Sequence, residues 1–264
     1  AGMEFKQVVG TRRTIRFFDP NRPVEPEKIQ VMLEAANRAS RAVNADFAKA
    51  IVCYRDELTD EVREQLKTPT TTVQIDLAPV TIFWYGDTTF VNGAQDRLKE
   101  LVDLGALPVT HGWTHPYVDD LVYPQVLEPL SKDQLATTWA VSVETGLAIA
   151  QAMLAGVDEG LGVGLHAFNA AGAKDVLKVP DHWVPMWILL VGYPAEDAKG
   201  GGQRPRRPLS ESFYRGQYGH PWAEIPEVTE RLKREGMIQE PMPADASARI
   251  QEIKQLADRF GLPL

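Results

Sequence analysis

Three basic residues surround a hydroxyl in Arg12-Arg13-Thr14-Ile15-Arg16, and a second basic segment, Arg204-Pro205-Arg206-Arg207-Pro208, lies far downstream. A dianionic phosphate is held best by planar guanidinium forks supplemented by a hydroxyl or backbone donor. Arg12, Arg13, Thr14, Arg204 and Arg206 supply those groups. The competing reading of each cluster is ordinary solvated charge, at a helix start and in a proline-flanked loop. The chain has a net charge of -8, so it lacks the broadly positive face that a nucleic acid or an anionic membrane requires. A small anion is the better partner for two local arginine clusters.

Other groupings carry less chemistry. His111 and His115 would share one face of a helix, as a metal pair requires, but Gly112 lies between them and Pro116 follows. No third ligand is evident, so no metal site is expected. Asp119-Asp120 reads as an exposed acidic pair rather than an acid-base couple. Cys53 is the single cysteine and sits in the apolar run of residues 50–54. It is expected to be a buried strand thiol in a protein of a reducing compartment. Neither a basic-then-apolar leader nor an apolar stretch of bilayer-spanning length is read, so the expectation is a soluble cytoplasmic protein.

The elements that must position these residues follow from periodicity. Pro26 opens a helix whose Ile29, Met32, Leu33 and Ala36 repeat at helical spacing. A small and polar loop through Ser40, Arg41 and Asn44 follows. Residues 50–54, 80–85 and 183–191 are short runs rich in β-branched and aromatic side chains, hence buried strands. Residues 59–67, 92–104 and 169–177 read as helices. Ser131-Lys132-Asp133-Gln134 has capping-box spacing, and residues 135–157 then run apolar on almost every side. That helix must be central, and it is expected to lie partly in a dimer interface. Residues 88–130 read as a lid-like insertion with one short helix, and residues 226–235 and 247–260 as amphipathic helices of a C-terminal tail. That tail is expected to wrap a neighbour or to pack on the surface.

Taken in order, these features resemble the FMN-dependent nitroreductase superfamily. The points of likeness are Arg12-Arg13-Thr14-Ile15-Arg16-Phe17-Phe18-Asp19; the helix and Asn-containing loop of residues 38–44; Gly160-Leu161-Gly162 leading to Leu165-His166-Ala167; Gly192-Tyr193-Pro194-Ala195-Glu196; and Arg204-Pro205-Arg206. Together they span about residues 4–214. The resemblance implies an α+β fold, a three-layer sandwich with a mainly antiparallel sheet flanked by helices, assembled as a homodimer. Residues 3–214 would form the flavin-binding domain and residues 215–264 a helical extension.

It further implies FMN as cofactor, NADH or NADPH as electron donor, and a small electron-poor aromatic such as a nitro compound or quinone as acceptor. The FMN phosphate would lie on Arg12, Arg13, Thr14, Arg204 and Arg206, and Arg16 would serve the ring's pyrimidine side. Residues Leu165, His166 and Ala167 would pass the flavin N5, with the amide near Ala167 as donor, and Asn44 would come from the partner subunit. No protein group is needed as catalytic acid or nucleophile; His166 and Arg41 are the substrate-side residues. The chain departs from many relatives in having Ser40-Arg41 where they carry Pro-Ser, and in lacking any lysine or arginine across residues 68–95. Two alternatives stay open: a specialised reductase of the same fold, such as a reductive dehalogenase, and a nucleotide-binding protein without redox turnover.

Overall fold

The computed structural model describes residues 2–262. Its centre is a four-stranded antiparallel sheet in the order β1-β2-β4-β3, formed by Ala48–Tyr54, Val80–Asp87, Gly162–His166 (β3) and Trp183–Gly192 (β4). Every residue of β2 is buried. This is why the run reads as continuously apolar rather than alternating: both faces of a central strand are covered. The helices are α1 (Phe5–Thr11), α2 (Pro26–Asn37), α3 (Asp60–Leu66), α4 (Val73–Leu77), α5 (Ala94–Asp103), α6 (His115–Tyr117), α7 (Glu128–Lys132), α8 (Gln134–Asp158), α9 (Ala170–Leu177), α10 (Pro226–Arg234) and α11 (Ser247–Phe260).

Strand alternation sorts the core into two layers. Ile82, Trp84, Leu189 and Val191 face Ile29 and Met32 of α2 and Ile149 and Ala152 of α8. Phe83, Tyr85, Ile188, Leu190 and Cys53 face the opposite layer, with Leu66, Ile75 and Ala173. The expected three-layer α+β sandwich is therefore observed. Cys53 is buried in β1, and burial, with a smaller contribution from Glu57, pushes its thiol up to about 11.

Three expectations need correction. The insertion is more helical than its turn residues indicate, because α6 runs into a wide-turned π-helical segment, Val118–Leu127, and then α7. Pro124 lies inside that segment, where it has no N–H for an ordinary helical bond. Ser131 does not cap α8; its hydroxyl donates to Glu128 O at 2.7 Å, and Asp133 takes the cap by accepting from Ala136 N at 3.0 Å. By composition α8 is also apolar enough to span a bilayer, with a mean hydropathy of 1.5 over an 18-residue window. Its packing against α2 and the sheet makes it a core helix instead.

One face of α8 stays bare within the protomer. Leu135 and Trp139 are 81% and 68% exposed, and Val143 and Leu147 continue the row at i, i+4 spacing. The C-terminal tail packs on its own chain. Leu256 and Ala257 of α11 are buried, and Gln203 N donates to Glu240 O at 2.8 Å.

The sheet gains an edge segment at β3. Thr14 bridges Val163 in parallel fashion, and Ile15 N donates to Val163 O at 2.9 Å. This approach depends on Gly164, where an added Cβ would lie 2.5 Å from Ile15 O. The Ile15 carbonyl is backbone and cannot swing aside, so Gly164→Ala is expected to destabilise the fold by about 1–3 kcal/mol, the usual range for overpacking. Urea unfolding of both proteins measures this, and an unchanged midpoint would show that the edge segment is not held against β3.

Candidate functional site: an arginine cradle beside the third strand

Residues 12–16 run beside β3, and their burial alternates with the period of an extended chain. Arg13 and Ile15 are buried, Arg12 and Thr14 are half-buried, and Arg16 is exposed. Arg12, Thr14 and Arg16 therefore share the open face, and Arg13 points inward. A four-residue step along such a segment spans at most about 14 Å.

Arg12 is joined on that open face by Arg204 and Arg206. Burial pushes the Arg12 guanidinium below its usual pKa, and the nearby positive charges of Arg206 and then Arg204 push in the same direction. The two segments recognised in the sequence thus converge, and among the described residues no carboxylate forms an ion pair with Arg12, Arg204 or Arg206. Arginine does not relieve such crowding by losing its proton. An anion relieves it. Arg204 is steadied by bonds from Nη1 to Gly200 O and Gly202 O at 3.0 and 3.2 Å, while Arg206 stays exposed.

Arg13 departs from its expected role. Its Nε donates to Lys199 O and Gly202 O at 3.1 and 3.0 Å, its Nη1 to Gly10 O and Arg12 O at 2.6 and 3.1 Å, and its Nη2 to Gln239 Oε1 at 3.0 Å. All three nitrogens are spent on the protein, so Arg13 fastens the N-terminal segment to the 199–202 loop and the C-terminal tail instead of offering donors to a ligand.

Glu196 holds the open face in place, a role the sequence did not reveal although the residue lies in a recognised motif. Its side chain is 0% exposed. Oε1 accepts from Arg16 N at 2.5 Å and Phe17 N at 3.0 Å, and Oε2 pairs with Arg249 of α11. Arg249 lies in the tail, too far along the chain for any spacing rule to link the two.

Leu165 and His166 close β3, and the exposed Ala167 follows. The His166 Nε2 is buried without a hydrogen-bond partner. Burial lowers its pKa below the ordinary value of 6.5, and Arg16 lowers it further.

Asn44 lies at the other edge of the sheet, just ahead of β1, so three inter-strand spacings, roughly 15 Å, separate its edge from that of β3. Asn44 and Arg41 border a different hollow, with Arg97 and Trp113. Two of the other candidate groups have local partners. His115 Nε2 pairs with Asp103 at 2.7 Å, and Asp119 pairs with Lys99 at 2.7 Å.

Comparison with known proteins identifies the fold. Residues 9–107 match the sequence model of the Nitroreductase family. The chain has the nitroreductase fold. A Nitroreductase Family Protein from Streptococcus pneumoniae superposes with a TM-score of 0.62 at 21% identity, covering 80% of this chain and 100% of the other. A nitroreductase candidate of Exiguobacterium sibiricum, solved in complex with FMN, gives 0.65 at 21% identity, with 80% and 96% covered. NfrA2 of B. megaterium gives 0.57 at 18% identity and covers 99% of both chains, so its likeness includes the C-terminal tail. No curated protein matches the sequence significantly. In nitroreductase terms, the recognised segments meet beside the third strand except at Asn44 and Arg41.

The depressed His166 pKa has a consequence for stability. The folded chain binds fewer protons at this site than the unfolded chain between the lowered value and 6.5. Stability therefore rises with pH across that interval, and above it the group has no further effect. His166→Gln is expected to flatten this rise. Urea midpoints of both proteins from about pH 5 to about pH 7.5 test the sign, and parallel curves would refute it.

Proposed function

We propose that the protein is an FMN-dependent oxidoreductase that takes electrons from NADH or NADPH and reduces a small electron-poor aromatic such as a nitro compound or quinone. The observation that carries this reading is the convergence of Arg12, Arg204 and Arg206, which form no ion pair with a carboxylate among the described residues. Such a donor set fits a terminal phosphate. The Exiguobacterium sibiricum relative solved with FMN supports the choice of nucleotide, and a Staphylococcus epidermidis protein described as an NAD(P)H:FMN oxidoreductase, with a TM-score of 0.66 at 20% identity over 81% of this chain and 96% of that one, supports the donor.

In this reading Arg12, Arg204 and Arg206 hold the phosphate, Thr14 adds a hydroxyl from the same face, and Arg16 faces the ring end. The bound flavin supplies two-electron transfer between the nicotinamide donor and the acceptor. The protein's part is to position both partners and exclude water. Arg16 offers positive charge where reduction places negative charge, and Glu196 fixes its backbone. His166 stays neutral near neutrality and adds no second positive charge beside Arg16. The amide near Ala167 is the donor assigned to N5.

The working unit is a homodimer. The bare row of Leu135, Trp139, Val143 and Leu147 is an apolar surface that a second copy would cover. Asn44, an edge away from the cradle in its own chain, is the residue each protomer supplies to the other, with Arg41 beside it on the substrate side.

Purified protein should be yellow and should bleach on adding NADH or NADPH without oxygen. Arg12→Ala and Arg206→Ala should each weaken FMN binding about tenfold or more, the worth of one charge-assisted contact, while circular dichroism stays native. Full flavin retention by both variants would overturn the assignment.

A further inference from the structure

The side chain of Arg204 is held by a loop with little conformational preference of its own. Gly200, Gly201 and Gly202 follow one another at positive φ, 55°, 80° and 118°. Glycine has more backbone freedom to lose than any other residue, so the carbonyls of Gly200 and Gly202 that receive Arg204 Nη1 need support from elsewhere. Two turn bonds are local, from Gly200 N to Asp197 O at 2.7 Å and from Gly202 N to Lys199 O at 2.9 Å. The long-range anchors lead to the C-terminal tail.

One anchor runs through Arg13. Its Nε shares the Gly202 carbonyl with Arg204, and its Nη2 ends on Gln239 Oε1. A second is backbone on backbone, because a Cβ on Gly202 would lie 2.6 Å from Met242 N. The third is Gln203, the residue before Arg204. Its Nε2 donates to Met237 O at 3.0 Å and to Gly10 O at 3.3 Å, and its Oε1 accepts from Gln239 N at 3.0 Å. Gln239 replies with Nε2, which donates to Gly236 O at 2.9 Å and to Thr11 Oγ1 at 3.4 Å.

The backbone and the side chain of Arg204 are thus both anchored on residues 236–242. An amide suits the task, since it offers donors and an acceptor and adds no charge beside the cradle. Among the described residues Arg204 Nε and Nη2 make no hydrogen bond, so they are the donors left for an anion.

We propose that Gln203 and Gln239 are positioning residues for the cofactor's phosphate: they dock the tail so that Arg204 presents Nε and Nη2 in one orientation before the anion arrives. This role rests on the reading that the cradle takes that phosphate. A side chain ordered in advance costs less to order on binding. Linked equilibria are reciprocal, so a phosphate in the cradle also stabilises the docked tail.

Riboflavin, the same ring system without the phosphate, isolates the effect. Fluorescence titration of the full-length protein, freed of any flavin it carries, is expected to show FMN bound more tightly than riboflavin. Gln239→Met and Gln203→Met should each reduce that preference about two- to tenfold, the range set by ordering one long side chain on binding, and leave riboflavin affinity unchanged. Thermal unfolding of each variant is the folding control. A merely structural role would weaken both flavins alike. Full preference retained by both variants would therefore overturn the positioning role while the phosphate reading stands. Wild-type protein that binds the two flavins equally, or neither, would defeat that reading and this role with it. Hydrogen exchange of the wild-type protein gives a check that needs no variant: FMN should slow the backbone N–H groups of Gln203 and Gln239 more than riboflavin does, and equal slowing would also overturn the proposal.

Discussion

The buried carboxylate of Glu196 is the contact on which the rest of the arrangement depends. It accepts from the backbone of Arg16 and Phe17 and pairs with Arg249, so one side chain fixes the basic segment beside β3 and anchors α11. Removing one partner of such a pair leaves an uncompensated buried charge, at a cost of about 3–5 kcal/mol. The open face of Arg12, Thr14 and Arg16 is thus positioned by a residue from the far end of the core. The tail is a structural part of the nitroreductase fold as this chain builds it.

Adjacent arginines perform different tasks here because an extended chain sends neighbouring side chains to opposite sides. Arg13 faces inward and meets carbonyls, which satisfy its donors without balancing its charge. Arg12 faces outward, with two more guanidiniums near enough to act on its charge. That repulsion is tolerated in the folded state because other interactions enforce it, and a bound anion would turn the same crowding into affinity. Of the three, Arg204 is held in place by its bonds to Gly200 O and Gly202 O, and a donor held in advance costs less to order on binding.

The extent to which this was legible in the sequence follows from the kind of information each feature carries. The strands at 80–87 and 183–192 were readable because burial on both faces requires continuous apolar runs. Helix α2 was readable from its period and its opening proline. Strand β3 was not read as a strand, because its glycines, which admit Ile15, carry no strand propensity of their own. The insertion looked loop-like because its prolines and glycines mark turns locally, whereas Val118, Val122 and Leu127 find a core only in three dimensions. Composition located the arginine clusters, but which arginines face a ligand depends on alternation within a segment whose extended form was not anticipated. The link from Arg97 to the Asn44 carbonyl has no sequence signal, being a side-chain contact to backbone.

The bare row on α8 and the position of Asn44 bear on the same question from opposite sides. A helix read as apolar all round should be buried all round, yet this one leaves Leu135 and Trp139 in water when the protomer stands alone. Its inner face is already committed to α2 and the sheet, so intramolecular rearrangement cannot cover the row without opening the core. In the proposed dimer a two-fold partner offering the same row would cover it, one self-complementary apolar strip against another. Asn44 and the cradle lie at opposite edges of one sheet, so a site that used both would require two chains. The proposed dimer draws on two observations: an apolar row on α8 that is bare in the protomer, and Asn44 at the sheet edge opposite the cradle.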